Sequence, residues 1–283
     1  MGSLVAALAS WLDARAHGGT WLVRIEDLDP PREEPGAGHD ILATLDAFGL
    51  VSDESVVWQH TRDELYASAL LRLQQAGHIY ACQCSRAQVA ERAVLLGLPA
   101  SIYPGTCRDL GLALAGGNAL RLRVENERVE FADRACGMFA QQLAREVGDF
   151  VVRRADGLTA YQLAVVVDDA AQGITEVVRG ADLLDNTPRQ ITLQRLLGVV
   201  TPRYLHVPVV LAPDGEKLSK QNGATPLDRT RVLDELARAG SHLGMPRLGA
   251  ASRDGFLRLA TDWWRERWIC APTITGKEQP QDG

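Results

Sequence analysis

Residues 3–25 read SLVAALASWLDARAHGGTWLVRI, a helical pattern followed directly by a strand pattern. Apolar side chains recur at helical spacing from Leu4 to Leu12, Ser3 is the expected N-cap, and Gly18 ends the helix. Residues 20–25 have the composition of a buried strand. A helix followed by a strand predicts an α/β sheet, and the helix starts too early to leave room for a first strand before it.

The composition is that of an ordinary globular chain of 283 residues, with 46% hydrophobic and 23% charged residues, which excludes a disordered or collagen-like chain. The longest apolar runs, 163–167 and 207–212, fall far short of the roughly 18 residues that a membrane-spanning helix needs. Thirty basic against 36 acidic residues give a net charge of −6. This charge argues against non-specific nucleic-acid binding, which depends on Lys and Arg neutralising phosphates.

Further elements follow along the chain. Residues 150–153 and 161–167, joined by an Asp156-Gly157 turn, predict a β-hairpin, and 174–178 and 204–212 predict further strands. A helix is predicted over residues 187–197, with Pro188 in its first turn. The residue pattern between residues 80 and 147 differs from that of the flanking segments and indicates an insertion.

Three of the five cysteines, Cys82, Cys84 and Cys107, cluster in the first part of that insertion. Such a cluster in a long chain is typical of a metal site rather than a disulfide framework, and it favours a reducing cytoplasm. Three thiolates suit a closed structural zinc site, and His78 is a competing candidate for the fourth ligand on chemical grounds.

The loop from Lys217 to Gln221, KLSKQ, follows a predicted strand and a tight turn. Its two ammonium groups, Lys217 and Lys220, flank the hydroxyl of Ser219. Lysines in such a loop can neutralise charge that develops on transferring phosphates. The alternative interpretation is a solvated basic loop.

Several segments occur in a fixed order before this loop: RIEDLDPPR (24–32), YQLAVVVDD (161–169), VRGAD (178–182) and NTPRQ (186–190). Together they resemble the class I aminoacyl-tRNA synthetases of the glutamyl subgroup. The resemblance implies an α/β, Rossmann-like catalytic domain with a zinc-bearing insertion and a short helical C-terminal segment. The implied organisation is 1–80 and 149–222 for the two catalytic halves, 81–148 for the acceptor-binding insertion, 223–271 for the helical segment and 272–283 for a disordered tail.

The resemblance also implies roles for individual residues. Glu26 would take the ammonium of glutamate, Tyr161 would pack and hydrogen-bond beside it, and Arg179 would pair with a substrate carboxylate. The alternative for Glu26 is a surface ion pair with Arg24 or Arg32. An anionic and a cationic partner suit a zwitterion with an extra carboxylate.

The remaining implied sites bind ATP and zinc. The ATP site would comprise Gly2, Ser3, Lys217, Ser219 and Lys220, with Mg²⁺ bridging phosphates and Lys217 and Lys220 as the catalytic pair. The zinc site would comprise Cys82, Cys84, Tyr103 and Cys107, with the tyrosine hydroxyl in place of His78. Asp168 and Asp169 are candidates either for contacting Mg²⁺ or for turn and strand-end roles.

Two features resemble a shorter paralogue within the subgroup. The 61 residues after Asn222 are too few for a large anticodon-reading module, and residues 27–33 read DLDPPRE without the usual threonine between the aspartates. The paralogue activates glutamate with ATP and transfers it to queuosine in tRNA(Asp), and we expect a cytoplasmic monomer. The alternatives are a truncated glutamyl-tRNA synthetase that charges tRNA(Glu) and a catalytically dead tRNA-binding paralogue.

The N-terminus departs from the family pattern. The family signature contains a strand, an arginine-bearing turn and a histidine, and here it retains only its last residues, Met1, Gly2 and Ser3. We expect that the natural start lies upstream of Met1. The alternative is a truncated product with impaired activity.

Overall fold

The computed structural model describes residues 1–114, 117–211 and 226–270. The chain divides into two compact units. The first, here called the helical unit, comprises Met1–Trp21, Thr44–Asp53 and the described part of Pro208–Gly283. The second, here called the sheet unit, comprises Leu22–Ala43 and Glu54–Val207.

The described residues form α-helices and β-strands. The α-helices are α1 (Gly2–Ala16), α2 (Ala37–Ala47), α3 (Asp63–Gln75), α4 (Arg86–Leu95), α5 (Leu143–Glu146), α6 (Tyr161–Ala171), α7 (Thr187–Leu197), α8 (Val232–His242) and α9 (Arg253–Trp268). The strands are β1 (Arg24–Ile25), β2 (Val57–Trp58), β3 (Ile79–Cys82), β4 (Ala119–Leu122), β5 (Arg128–Asp133), β6 (Gly137–Gln142), β7 (Val151–Arg153), β8 (Glu176–Gly180) and β9 (Arg203–Val207). Among the described residues, no helix is both long and apolar enough to cross a bilayer.

The helical unit is organised around α1, which packs against α8 and α9. Leu4, Leu8 and Leu12 repeat every four residues and are buried, as the helical spacing predicts. The prediction of Ser3 as the N-cap is wrong, because the Val5 N–H already bonds to the Met1 carbonyl at 3.0 Å and the helix therefore begins at Gly2.

The described residues of the sheet unit form three sheets. β1 and β2 form a parallel pair, β3-β4-β7 is antiparallel, and the third sheet has the order β6-β5-β9-β8. In the third sheet β5 and β8 both run parallel to β9, whereas β6 runs antiparallel to β5. The buried faces of α3, α6 and α7 contribute to the same apolar core as β4 and β7. Because β5, β9 and β8 run in the same direction, their carboxyl ends lie at the same end of the third sheet.

The helix α7 has the predicted bounds, whereas the predicted hairpin is wrong in its second half. Residues 161–167 belong to the helix α6, not to a strand paired with β7. Leu163 to Asp168 are all buried, so the run shows no polar face that would reveal a helical period. Short apolar runs of this kind do not distinguish a buried helix from a buried strand.

Candidate functional site

The predicted glutamate ligands lie in the sheet unit. Glu26 directly follows β1, Tyr161 is the first residue of α6, and Arg179 lies in β8. The Arg179 Nη1 lies 3.5 Å from the Tyr161 hydroxyl. Burial raises the pKa of Tyr161, the Arg179 charge opposes this rise, and the negative charge of Glu26 adds to it. The three side chains therefore share one electrostatic environment.

Arg179 is a buried cation whose hydrogen bonds all go to neutral groups. Its Nε donates to His206 Nε2 at 3.1 Å, and its Nη2 donates to Thr187 Oγ1 at 2.8 Å. Its guanidinium also lies over the Tyr204 ring, 5.5 Å from the centroid. Among the described residues, no carboxylate lies within the 4.0 Å of an ion pair with Arg179. A buried charge without a direct counter-ion is costly, and an anionic ligand would supply that counter-ion.

The acidic side of this site is formed by Glu26 and Asp169. The Glu26 side chain is 40% exposed, yet surrounding protein atoms desolvate its carboxyl enough to raise its pKa, and Asp169 and Asp168 raise it further. Arg24 opposes this rise, and its Nη2 lies 3.6 Å from Glu26 Oε1 but 2.7 Å from Asp169 Oδ1. Arg24 is thus engaged mainly by Asp169, which leaves Glu26 a candidate for binding a cation.

Asp168 is a buried carboxylate that connects α6 to other parts of the sheet unit. It is fully buried, and it accepts hydrogen bonds from Arg62 Nε at 2.5 Å, Gln59 Nε2 at 2.8 Å and the Tyr66 hydroxyl at 2.8 Å. These donors tie α3 and the segment before it to α6. Its oxygens are occupied by protein donors, so of the two roles considered for Asp168 the geometry favours the structural one.

The sequence did not single out His206, which contacts Arg179, or Asp133, which contacts His206. Arg179 and His206 are register partners on β8 and β9, and Asp133 is the last residue of the neighbouring β5. His206 Nδ1 lies 2.6 Å from Asp133 Oδ2. In parallel sheets, ligands bind at the carboxyl ends of the strands, where these three residues lie. No local signal reveals the pair, since 73 residues separate Asp133 from His206.

The three predicted cysteine ligands form a cluster. Their Sγ atoms all lie within 4.8 Å of one another, and those of Cys84 and Cys107 are 3.4 Å apart. Cys82 ends β3, and Cys84 precedes α4, whose capping box at Ser85 fixes where the chain turns. The structure brings no histidine into this cluster of described residues, so His78 is not one of its ligands.

Tyr103 lies against the same cluster. Its hydroxyl lies 3.4 Å from Cys82 Sγ and accepts a hydrogen bond from the Cys107 N–H at 2.8 Å. The guanidinium of Arg121 covers its ring, 3.7 Å from the centroid. Behind Tyr103, Gly148 has φ +73°, and a Cβ there would overlap the Tyr103 carbonyl oxygen. Gly148 therefore permits the close backbone approach that holds Tyr103 beside the thiols.

The surroundings of Cys84 and Cys82 shift their pKa values in opposite directions. Burial and the neighbouring Cys107 thiol raise the pKa of Cys84 to about 12. Burial opposes ionisation of Cys82 as well, but hydrogen bonds from Tyr103 and Arg121 lower its pKa. A divalent cation would stabilise all three thiolates at once, and its binding would release protons.

The structure describes two of the predicted ATP ligands, Gly2 and Ser3. Gly2 and Ser3 begin α1 in the helical unit, and a Cβ at Gly2 would meet no atom within 4 Å. Local packing therefore does not require glycine at this position. Lys217, Ser219 and Lys220 lie outside the described residues, as does the predicted tail.

Comparison with known proteins agrees with these features. The family model of the class I tRNA synthetases (E and Q), catalytic domain, matches residues 1–239. The glutamyl-Q tRNA(Asp) synthetase of Burkholderia cenocepacia is 58% identical over 275 residues, which cover 94% of this chain and 92% of that protein. The same enzyme of Cupriavidus metallidurans is 56% identical over 286 residues, covering 98% and 90%.

Solved structures show the same fold at lower identity. A glutamate tRNA ligase from Elizabethkingia meningosepticum, in complex with its amino acid, superposes with a TM-score of 0.74 at 21% identity and covers 92% of this chain. The glutamate-tRNA synthetase of Elizabethkingia anophelis gives 0.69 at 23% identity and covers 87%. This chain spans only 62% and 51% of the length of those two proteins. The chain belongs to the class I tRNA synthetases of the glutamate and glutamine group, and within them to the glutamyl-Q tRNA(Asp) synthetases.

Proposed function

We propose that this protein is a ligase-type enzyme that activates L-glutamate with ATP and transfers it to queuosine in tRNA(Asp). The observation that carries the proposal is Arg179, a buried cation with no carboxylate in ion-pair range among the described residues, beside the hydroxyl of Tyr161. The names of the relatives supply the acceptor, since they act on tRNA(Asp) as glutamyl-Q synthetases.

Glutamate binds between charges of opposite sign. Arg179 pairs with a substrate carboxylate, because a guanidinium presents a planar fork of donors that fits two carboxylate oxygens. Glu26 takes the ammonium group, and Tyr161 packs and hydrogen-bonds beside the substrate. Asp169 holds Arg24 at 2.7 Å and so limits its competition for Glu26.

In the first step, the α-carboxylate attacks the α-phosphate of ATP, which gives glutamyl-adenylate and releases pyrophosphate. Lys217 and Lys220 stabilise the charge on the leaving phosphates, and Gly2, Ser3 and Ser219 complete the ATP site. Mg²⁺ bound with ATP neutralises further phosphate charge. In the second step, a hydroxyl of the queuosine cyclopentenediol attacks the glutamyl carbonyl, the new ester forms, and AMP leaves.

Zinc has a structural role in this proposal. The donor set of Cys82, Cys84, Cys107 and the Tyr103 hydroxyl fits a closed four-ligand site, because three thiols already converge and the hydroxyl lies 3.4 Å from one of them. Bound zinc would fix the segment that joins β3, α4 and the loop carrying Tyr103.

We further propose a Rossmann-like catalytic domain formed by 1–80 and 149–222. It is interrupted by the zinc-bearing insertion 81–148 and followed by the helical segment 223–271. The enzyme acts as a cytoplasmic monomer.

The first step is tested by amino-acid-dependent exchange of labelled pyrophosphate into ATP, with glutamate, glutamine and aspartate compared. We expect exchange with glutamate and at least tenfold less with glutamine, which lacks the second carboxylate. Arg179→Gln should abolish glutamate-dependent exchange. Arg195→Gln, which alters an exposed arginine paired with Glu127 at 2.6 Å, is the matched control and should retain it. Equal exchange by Arg179→Gln and the control would overturn the assignment.

A further inference from the structure

We propose that His206 is a positioning residue, a neutral imidazole that anchors the Arg179 guanidinium to Asp133 and leaves its charge available to the substrate carboxylate. The inference rests on the proposed function, because it assumes that Arg179 binds glutamate. Arg179 and His206 are register partners on β8 and β9, and Asp133 is the last residue of β5, which runs parallel to β9.

The hydrogen bonds determine the tautomer of His206. Arginine remains protonated in proteins, so its Nε–H can only donate. Arg179 Nε lies 3.1 Å from His206 Nε2, which must therefore accept and carry no proton. The proton lies on Nδ1, which donates to Asp133 Oδ2 at 2.6 Å. His206 is thus neutral, with Nδ1 protonated, and it is buried from solvent.

Asp133 is held firmly enough to anchor this chain of bonds. Besides the imidazole, its carboxylate accepts the backbone N–H groups of Ala135 at 2.9 Å, Cys136 at 2.8 Å and His206 at 3.1 Å. Burial acts to raise the pKa of Asp133, but these four donors outweigh burial and hold the pKa below its usual range. The negative charge of Asp133 is therefore one imidazole ring away from Arg179.

This separation matters for binding. A carboxylate in direct contact with Arg179 would occupy the guanidinium and compete with the substrate carboxylate. The imidazole takes up only the Nε–H, while Thr187 holds Nη2 at 2.8 Å and the Tyr161 hydroxyl is 3.5 Å from Nη1. The guanidinium is oriented at three nitrogens and neutralised directly at none of them.

Two variants separate the bonds of His206. In His206→Asn the side-chain amide can still donate to Asp133, but no atom reaches the position of Nε2, so Arg179 loses its acceptor. In His206→Gln the longer side chain can place an oxygen near the position of Nε2 and accept from Arg179, while the bond to Asp133 is lost. We expect the KM for glutamate in pyrophosphate exchange to rise at least tenfold in His206→Asn and less than threefold in His206→Gln. The KM for ATP should stay within twofold in both.

The tautomer is measured directly in the unmutated protein. Nitrogen NMR of ¹⁵N-histidine-labelled protein at pH 7 should show one histidine with Nδ1 protonated and Nε2 unprotonated, and this signal should be absent from His206→Asn. A protonated Nε2 at His206 would overturn the inference, whatever the kinetic result. So would a twofold or smaller change in the glutamate KM of a folded His206→Asn, or an equal rise in the KM for ATP.

The outcomes separate this inference from the proposed function. If the unmutated protein shows no glutamate-dependent exchange, the proposed function fails, and the NMR result still shows whether the chain of bonds exists. If exchange occurs but the tautomer is wrong, only the role of His206 fails.

Discussion

Replacing Asp168 with asparagine should strongly destabilise the sheet unit. Asp168 is fully buried on α6 and accepts hydrogen bonds from Arg62, Gln59 and Tyr66. Asparagine has nearly the same shape, so the substitution leaves no cavity. It removes the negative charge and places an amide donor where an oxygen now faces a donor.

The magnitude follows from these contacts. Losing the charge-assisted bond to Arg62, now 2.5 Å long, costs about 1.5 to 3 kcal/mol. The asparagine amide group then faces either Arg62, which donates to Oδ1, or Gln59, which donates to Oδ2, and the donor left without an acceptor costs about 1 to 3 kcal/mol more. We therefore expect a loss of about 3 to 5 kcal/mol in the free energy of unfolding, which is typical of breaking a buried ion pair from one side.

Urea unfolding followed by circular dichroism measures this loss. With a denaturant slope of roughly 2 kcal/mol per molar, a loss of about 4 kcal/mol moves the midpoint by about 2 M. Glu127→Gln is the matched control, since it makes the same carboxylate-to-amide change in a largely exposed pair with Arg195 and should cost less than about 1 kcal/mol. If Asp168→Asn costs no more than Glu127→Gln, the charge of Asp168 does not hold this network together.

Three further predictions concern the metal cluster and the substrate site. Gly148→Ala should destabilise the protein by about 1 to 3 kcal/mol more than Gly157→Ala in thermal unfolding. Both glycines have positive φ, but of the two positions only 148 would bring a Cβ within 4 Å of another atom. Equal losses of stability would contradict this. Cys107→Ser should reduce the zinc content of purified protein, measured by mass spectrometry, from about one ion per chain to near zero, whereas Cys136→Ser should retain it. The pKa of Glu26 is raised, mainly by burial, so its carboxylate is protonated at a higher pH than that of an exposed glutamate. Glutamate binding should therefore weaken as the pH falls through this higher range. Binding that weakens only around the ordinary pKa of 4.5 would refute this.

The sequence predicted local features better than tertiary ones. Helix α7 was predictable because Pro188 and the apolar spacing lie within a few residues of each other. Cys82, Cys84 and Cys107 could be grouped because they cluster in the sequence. Residues 161–167 were mispredicted as a strand, since the continuously buried run from Leu163 to Asp168 shows no polar face.

The partners of the site residues depend on strand pairing, which no local pattern encodes. His206 meets Arg179 through the register of β8 against β9 and meets Asp133 across 73 residues of sequence. Asp168 likewise joins donors from Gln59 to Tyr66 that lie more than 100 residues earlier in the chain. Sequence reasoning identified substrate-facing candidates through a family resemblance, but it could not identify the side chains that hold them in place.

Glutamate transfer to queuosine is tested most directly by labelled glutamate with three acceptors: tRNA(Asp) containing queuosine, tRNA(Asp) lacking it, and tRNA(Glu). The proposed function predicts ATP-dependent labelling of queuosine-containing tRNA(Asp) alone. Labelling of tRNA(Glu), or equal labelling of both forms of tRNA(Asp), would contradict it.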